Sequence, residues 1–428
     1  MLSIVVITMG LLLLYAGWRL RVPSESVGFL RTAIVPSFFV SLLIYPFSEP
    51  TARYAFLVTG VVGLIPIAQD RLLRKNPGNG PRKVVPNWRT APLFFAILLM
   101  TWLNVRDAFG NGFQFKFLLE FLFGIAMLAS FTRGMKIGEI TTELLIRYAA
   151  WYMGAALILG VASPTQWLSC QGQWGKCSVV GEIYQGIFSS ANEPAEFCMM
   201  ALLLTCLLPK SRERLLAIIG FAAVILVTGS RTPEISLAVG VLMALISVPL
   251  MAKKRGYYRH SMFLGFMYIL AVPVTGLYVV WHAKANSFSA RGLVWLNIEQ
   301  YITPFTGAGR GRSIYLDLLA LGNFRGHYPH SEYLFLTFFG GLMAVGLYAI
   351  FALSMWRAVK ATTKRLTFVR TLPLTVILIH GITEMSWNAS SLDTSVWIAI
   401  SLFAAISLRE PAVVTLEPEP VVETVDSR

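Results

Sequence analysis

Apolar residues gather along this chain into runs of roughly 15 to 22 positions, parted by short polar stretches. A helix rises about 1.5 Å per residue, so such a run crosses a hydrocarbon core of about 30 Å. Lipid offers no partner to exposed backbone N–H and C=O groups, and a helix satisfies its own. The pattern predicts helices near 1–20, 32–47, 54–69, 90–105, 117–132, 148–163, 194–208, 215–229, 233–252, 261–281, 331–355, 371–386 and 395–408. One of the shorter runs is open to a re-entrant reading, so the expectation is an all-α transmembrane bundle of about 12–13 spans.

Composition agrees. Charged residues make up 14% of the chain, mean hydropathy is +0.64, and a surface this poor in charge does not suit water. The net charge of +14 suggests nucleic acid only until the basic residues are placed. About 26 of the 36 fall in loops on one side of the predicted spans, which the positive-inside rule makes cytoplasmic. The N-terminus is then outside and the C-terminus inside, with Met1–Leu20 a retained helix rather than a signal peptide. Residues 1–410 are expected to form a single transmembrane domain, and the Pro- and Glu-rich 411–428 a disordered tail.

Two outer loops are long, 164–193 and 282–330; the second has no run long enough to span. The first holds Cys170 and Cys177, which an oxidising compartment would let pair, free thiols being the alternative. Lys284, Arg291, Arg310, Arg312 and Arg325 crowd into the second, against the charge rule. Arg231 stands at the outer mouth of a helix, where its plain reading is an i,i+3 pair with Glu234 and its functional reading an anion site. In Gly307-Ala308-Gly309-Arg310-Gly311-Arg312, alternate glycines let backbone amides approach a phosphate, although such a stretch also serves as a turn. His330 opens the next apolar helix beside these arginines. An imidazole there serves either as a proton acceptor near neutral pH or as an interfacial cap. His260 lies in a basic inner loop, and His380 falls within a span, where a core hydrogen bond is the natural role.

Four ordered segments resemble the O-antigen ligase and O-antigen polymerase family of membrane glycosyltransferases. They are Gly186-Ile187-Phe188-Ser189-Ser190-Ala191-Asn192-Glu193-Pro194-Ala195; Thr228-Gly229-Ser230-Arg231-Thr232; Ser289-Ala290-Arg291-Gly292-Leu293-Val294-Trp295 followed by Phe305-Thr306-Gly307-Ala308-Gly309; and His330-Ser331-Glu332-Tyr333-Leu334 with Gly340, Gly341 and Gly346. The resemblance spans roughly 185–355. It implies a GT-C-like fold in a bacterial inner membrane, with a partly helical periplasmic loop. The donor it implies is an undecaprenyl-pyrophosphate-linked glycan and the acceptor lipid A core or another glycan, with neither metal nor cofactor. Its arginines fall on Arg231 and Arg291 and its histidine on His330. Ser331 stands where the family usually has Asn, so support for the histidine is expected from Glu332 or Asn192.

In this reading Arg231 and Arg291 grip the pyrophosphate and His330 takes the acceptor proton. Arg310, Arg312, Arg325, Asn192, His327, Trp295, Gly307 and Gly309 are expected to line the substrate, with Trp281, Trp295 and Tyr315 either stacking on sugars or anchoring at the interface. Ligation to lipid A core is favoured over polymerisation of O-antigen or exopolysaccharide. A flippase or transporter is the competing class; it requires charge deep within spans, where Glu120, Glu384 and His380 are the candidates.

Overall fold

The computed structural model describes residues 2–20, 22, 32–73, 90–111, 115–164, 166–170, 177–251, 269, 271–302, 309–322, 329–362 and 367–407. Every apolar run carries a helix: α1 (Leu2–Arg19), α2 (Ile34–Ile44), α3 (Glu49–Leu73), α4 (Ala91–Asn111), α5 (Phe115–Ile137), α6 (Thr142–Gly160), α7 (Asn192–Leu207), α8 (Arg212–Thr228), α9 (Arg231–Met251), α10 (Ala271–Trp281), α13 (Glu332–Thr362), α14 (Thr367–His380) and α15 (Val396–Ser407). Five of these are long and apolar enough to cross a membrane: α1, α3, α4, α5 and α13. α2, α10, α14 and α15 are shorter apolar helices.

Where the sequence supplies a cap, it is used. Thr141 accepts a hydrogen bond from Leu144 N–H at 3.2 Å to open α6, and Ser211 accepts one from Arg214 N–H at 3.1 Å to open α8. α1 packs on α6 and α8, α3 on α5, and α13 on α4, so partners are often far apart in sequence. The core is aromatic: Phe38, Phe56 and Phe131 are fully buried together, as are Trp397 and Phe197. Large apolar side chains such as Ile4, Val58, Phe94, Val241 and Ile350 nevertheless lie exposed along the helices, an arrangement that suits lipid rather than water.

Three features depart from the expected outline. The loop 164–193 holds a small antiparallel hairpin, β1 (Trp167–Ser169) with β2 (Glu182–Tyr184), registered Trp167 to Tyr184. Cys170 and Cys177 are joined by a disulfide just beyond β1, with Cα atoms 4.9 Å apart. The loop 282–330 contains two helices too short to span, α11 (Ser287–Glu299) and α12 (Gly311–Ala320). Finally, the run at 371–386 does not stay helical to its end. α14 stops at His380, and the stretch 381–395 is irregular. That stretch is tied down by its own polar groups: Asp393 accepts from Ser391 Oγ at 2.7 Å, Asn388 Nδ2 at 3.0 Å and Ser395 N–H at 2.8 Å.

Candidate active site

The site begins at the turn between α8 and α9. Gly229 closes α8 with φ 59, and a Cβ there would lie 2.9 Å from the Ser178 nitrogen. Only glycine meets both demands, the left-handed backbone and the disulfide loop resting on it. The chain then passes through buried Ser230, which donates to Asn192 Oδ1 at 2.9 Å, and starts α9 with Arg231. Arg231 is exposed, with Glu234 near enough to interact with its charge.

Glu384 gathers the rest. Its Oε1 accepts from an Arg291 guanidinium nitrogen and from Asn192 Nδ2 at 2.8 Å; its Oε2 lies 3.2 Å from His330 Nδ1. Arg291 also donates to the Thr383 carbonyl and, at 3.4 Å, to Thr232 Oγ1, which takes a further bond from Thr383 Oγ1 at 3.3 Å. Four parts of the chain thus meet: the start of α7, the start of α9, α11, and the turn into α13. Arg231 joins them through its two neighbours, Ser230 bonded to Asn192 and Thr232 bonded to Arg291. Burial alone would push the Glu384 carboxyl up, but the His330 hydrogen bond and the Arg291 charge override it and hold the group down at about 2. An ionised carboxylate only accepts, so the hydrogen sits on His330 Nδ1 and, in the neutral ring, the proton-accepting lone pair on Nε2. The His330 side chain is 27% exposed, against 6% for Glu384.

His330 carries the only positive φ among the described non-glycine residues, at 48°. Such backbone costs on the order of 1–3 kcal/mol and persists where neighbours over-determine it. Here Glu332 N–H bonds back to the Gly381 and Glu384 carbonyls, at 2.8 and 3.0 Å.

Several expected residues take other positions. Glu332 does not support His330; its buried Oε2 accepts the Trp387 N–H at 3.0 Å and so holds the 381–395 stretch. Asn192 supports His330 only through their shared Glu384. Trp295 is 1% exposed and donates to the Pro329 carbonyl at 2.7 Å, and Tyr315 is fully buried against Phe338 and Phe339, so neither presents a ring face to a sugar. Arg312 is buried on Glu120 at 3.3 Å and over the Phe117 ring at 4.6 Å. Glu120 is shared with Arg53 at 2.8 Å. Arg310 donates through Nε to the Tyr301 carbonyl at 2.9 Å. Gly309 packs against α13, where a Cβ would collide with the Phe339 carbonyl, and its own carbonyl accepts from Arg106 Nε at 2.5 Å. These loop arginines and Gly309 anchor α12; they do not line the Glu384 cluster. His380 is a core histidine, with Nδ1 2.8 Å from Ser386 Oγ. Gly307, Arg325, His327 and the tail 411–428 lie outside the described residues.

Sequence reasoning missed the centre of the site, because it counted Glu384 as part of a span. The signal was present in Gly381-Ile382-Thr383-Glu384 and Ser386-Trp387-Asn388, where small and polar residues interrupt the apolar run. Among the described residues, no group of three His, Cys, Asp or Glu side chains is arranged to hold a metal ion. Comparison of the chain with protein-family models, with curated proteins and with solved structures returned no match.

Proposed function

We propose that this protein is a membrane glycosyltransferase that moves a glycan from undecaprenyl pyrophosphate to an acceptor hydroxyl, in the manner of an O-antigen ligase. The observation that carries the reading is the meeting of Arg291 and His330 on one buried carboxylate, with the exposed Arg231 in the adjoining turn. A lipid pyrophosphate is a double anion at the membrane surface, and it needs guanidinium groups at that depth. Arg231 lies at the first turn of α9, where helix N–H groups and the helix dipole add to the attraction.

The chemistry then runs in one displacement. The acceptor oxygen attacks the anomeric carbon while the bond from that carbon to the pyrophosphate oxygen breaks. His330 Nε2 takes the acceptor proton, and the leaving undecaprenyl pyrophosphate keeps the bonding pair. Arg231 and Arg291 stabilise the charge that grows on it. In-line attack inverts the anomeric centre. Glu384 fixes the imidazole tautomer and favours the imidazolium that forms, the role a carboxylate plays behind histidine bases in hydrolases. As written, the reaction needs neither metal nor nucleotide. The reading includes a GT-C-like bundle in the bacterial inner membrane, with this site facing the periplasm and lipid A core as acceptor.

Transport fits less well. Two of the carboxylates expected to lie deep in spans have other circumstances: Glu120 is bonded to two arginines, and Glu384 lies past the end of α14. The test is purified protein with undecaprenyl-pyrophosphate-linked oligosaccharide and core lipopolysaccharide. Transfer to the core lipid is expected, with a loss on the order of 10³-fold in His330→Ala. A laddered glycan would make the enzyme a polymerase. Unchanged transfer by His330→Ala would end the assignment of the base.

A further inference from the structure

Arg291 and Trp295 stand four residues apart in α11, on one face of the helix. Arg291 reaches Glu384, and the Trp295 indole N–H reaches the Pro329 carbonyl at 2.7 Å, one peptide before His330. The carboxylate that Arg291 holds is the one His330 Nδ1 meets. α11 therefore touches the histidine twice, through its side-chain partner and through its backbone.

The backbone contact matters because of the conformation it serves. His330 has φ 48°, a left-handed geometry that an L-residue with a bulky ring adopts only under constraint. On the downstream side the constraint is Glu332 N–H, bonded to the Gly381 and Glu384 carbonyls. On the upstream side it is Trp295. Its ring is buried, and a buried indole is fixed in place by both its packing and its hydrogen bond. Nearby, the backbone of Lys284 and Ala285 folds over α11, with Leu293 N–H bonded to the Ala285 carbonyl at 3.2 Å, so the helix itself is seated.

Resting on the reading above, we infer that Trp295 is a positioning residue for His330: its indole N–H, by holding the Pro329 carbonyl, keeps the following residue left-handed and its imidazole on Glu384. It touches no substrate. It acts through one peptide unit, and a substitution there moves the rate of the chemical step rather than donor affinity.

The cleanest probe replaces Trp295 with benzothienylalanine, which keeps the bicyclic shape and removes only the N–H; Trp295→Phe is the genetic version. In steady-state transfer with the lipid-linked donor, kcat is expected to fall about tenfold or more, since a small displacement of a catalytic group costs on the order of 10²-fold. KM for the donor is expected to stay within about twofold, and the melting temperature of the benzothienyl protein to match that of the parent. A benzothienyl protein with parental kcat would overturn the inference, as would one whose KM rises while kcat holds. Neither result touches the reading of the site, which falls instead if His330→Ala transfers glycan at the parental rate. Should Trp295→Phe fail to fold, the isosteric variant still decides the matter.

Discussion

Glu120 and Glu384 are both buried carboxylates bonded to arginines from distant parts of the chain, yet they sit in different company. Glu120 lies within α5 and receives two guanidiniums, from Arg53 and Arg312. Arg53 is further tied to Glu49, and Arg312 is 8% exposed over the Phe117 ring. Glu384 lies in irregular backbone and receives one guanidinium, one amide and one imidazole. Its imidazole is partly exposed and hangs from a left-handed residue, and Arg231 opens to solvent beside it. Formal charge is similar in the two clusters. What separates a cross-brace from a reactive centre is a proton-accepting group with access to ligand, held where the backbone would not go unaided.

Substitution sharpens the contrast. Glu384→Gln keeps the shape but loses the charge that fixes the His330 tautomer, and transfer is expected to fall on the order of 10²-fold in kcat. Glu120→Gln is expected to leave kcat within about threefold and to lower the melting temperature, because removing one partner of a buried pair costs roughly 3–5 kcal/mol. Measured together, rate and melting temperature should move oppositely in importance for the two variants. Equal rate losses would erase the distinction.

A smaller effect comes from pH. The Glu384 carboxyl titrates at about 2 in the folded protein, below the ordinary 4.5. A depressed carboxyl contributes stability that is complete above its unfolded value and lost as pH falls through its folded one. The gap in melting temperature between the parent and Glu384→Gln is therefore expected to be flat from pH 7 to about 5, and to shrink as pH falls from about 4 toward 2. A gap that narrows above pH 5 would mean that His330 and Arg291 do not hold the carboxylate as described.

Much of this was legible in the sequence, for uneven reasons. Helices follow from apolar run length, a signal that lipid makes nearly unavoidable, and each run carries one. Arg231, Arg291 and His330 were legible because they violate the charge rule or sit in ordered motifs, and the structure brings all three to one end of α9, α11 and α13. The β1–β2 hairpin was not legible, since three-residue strands are too short for an alternation to register. Nor was the pairing of Arg312 with Glu120, 192 residues away, which turns an apparent phosphate ligand into a brace. Trp295 read as a sugar platform because its composition and place fit one; only burial reveals that its N–H is spent on a backbone carbonyl. Glu384 was hidden by hydropathy, which averages over the helix end that exposes its role.

If Glu384 acts through His330, their contributions to catalysis must overlap. The decisive measurement is kcat for His330→Ala, Glu384→Gln and the double variant with a lipid-linked donor. The double variant is expected to be no slower than His330→Ala alone, because a carboxylate cannot orient an imidazole that is gone. Losses that multiply, with the double variant about 10²-fold below His330→Ala, would contradict the account.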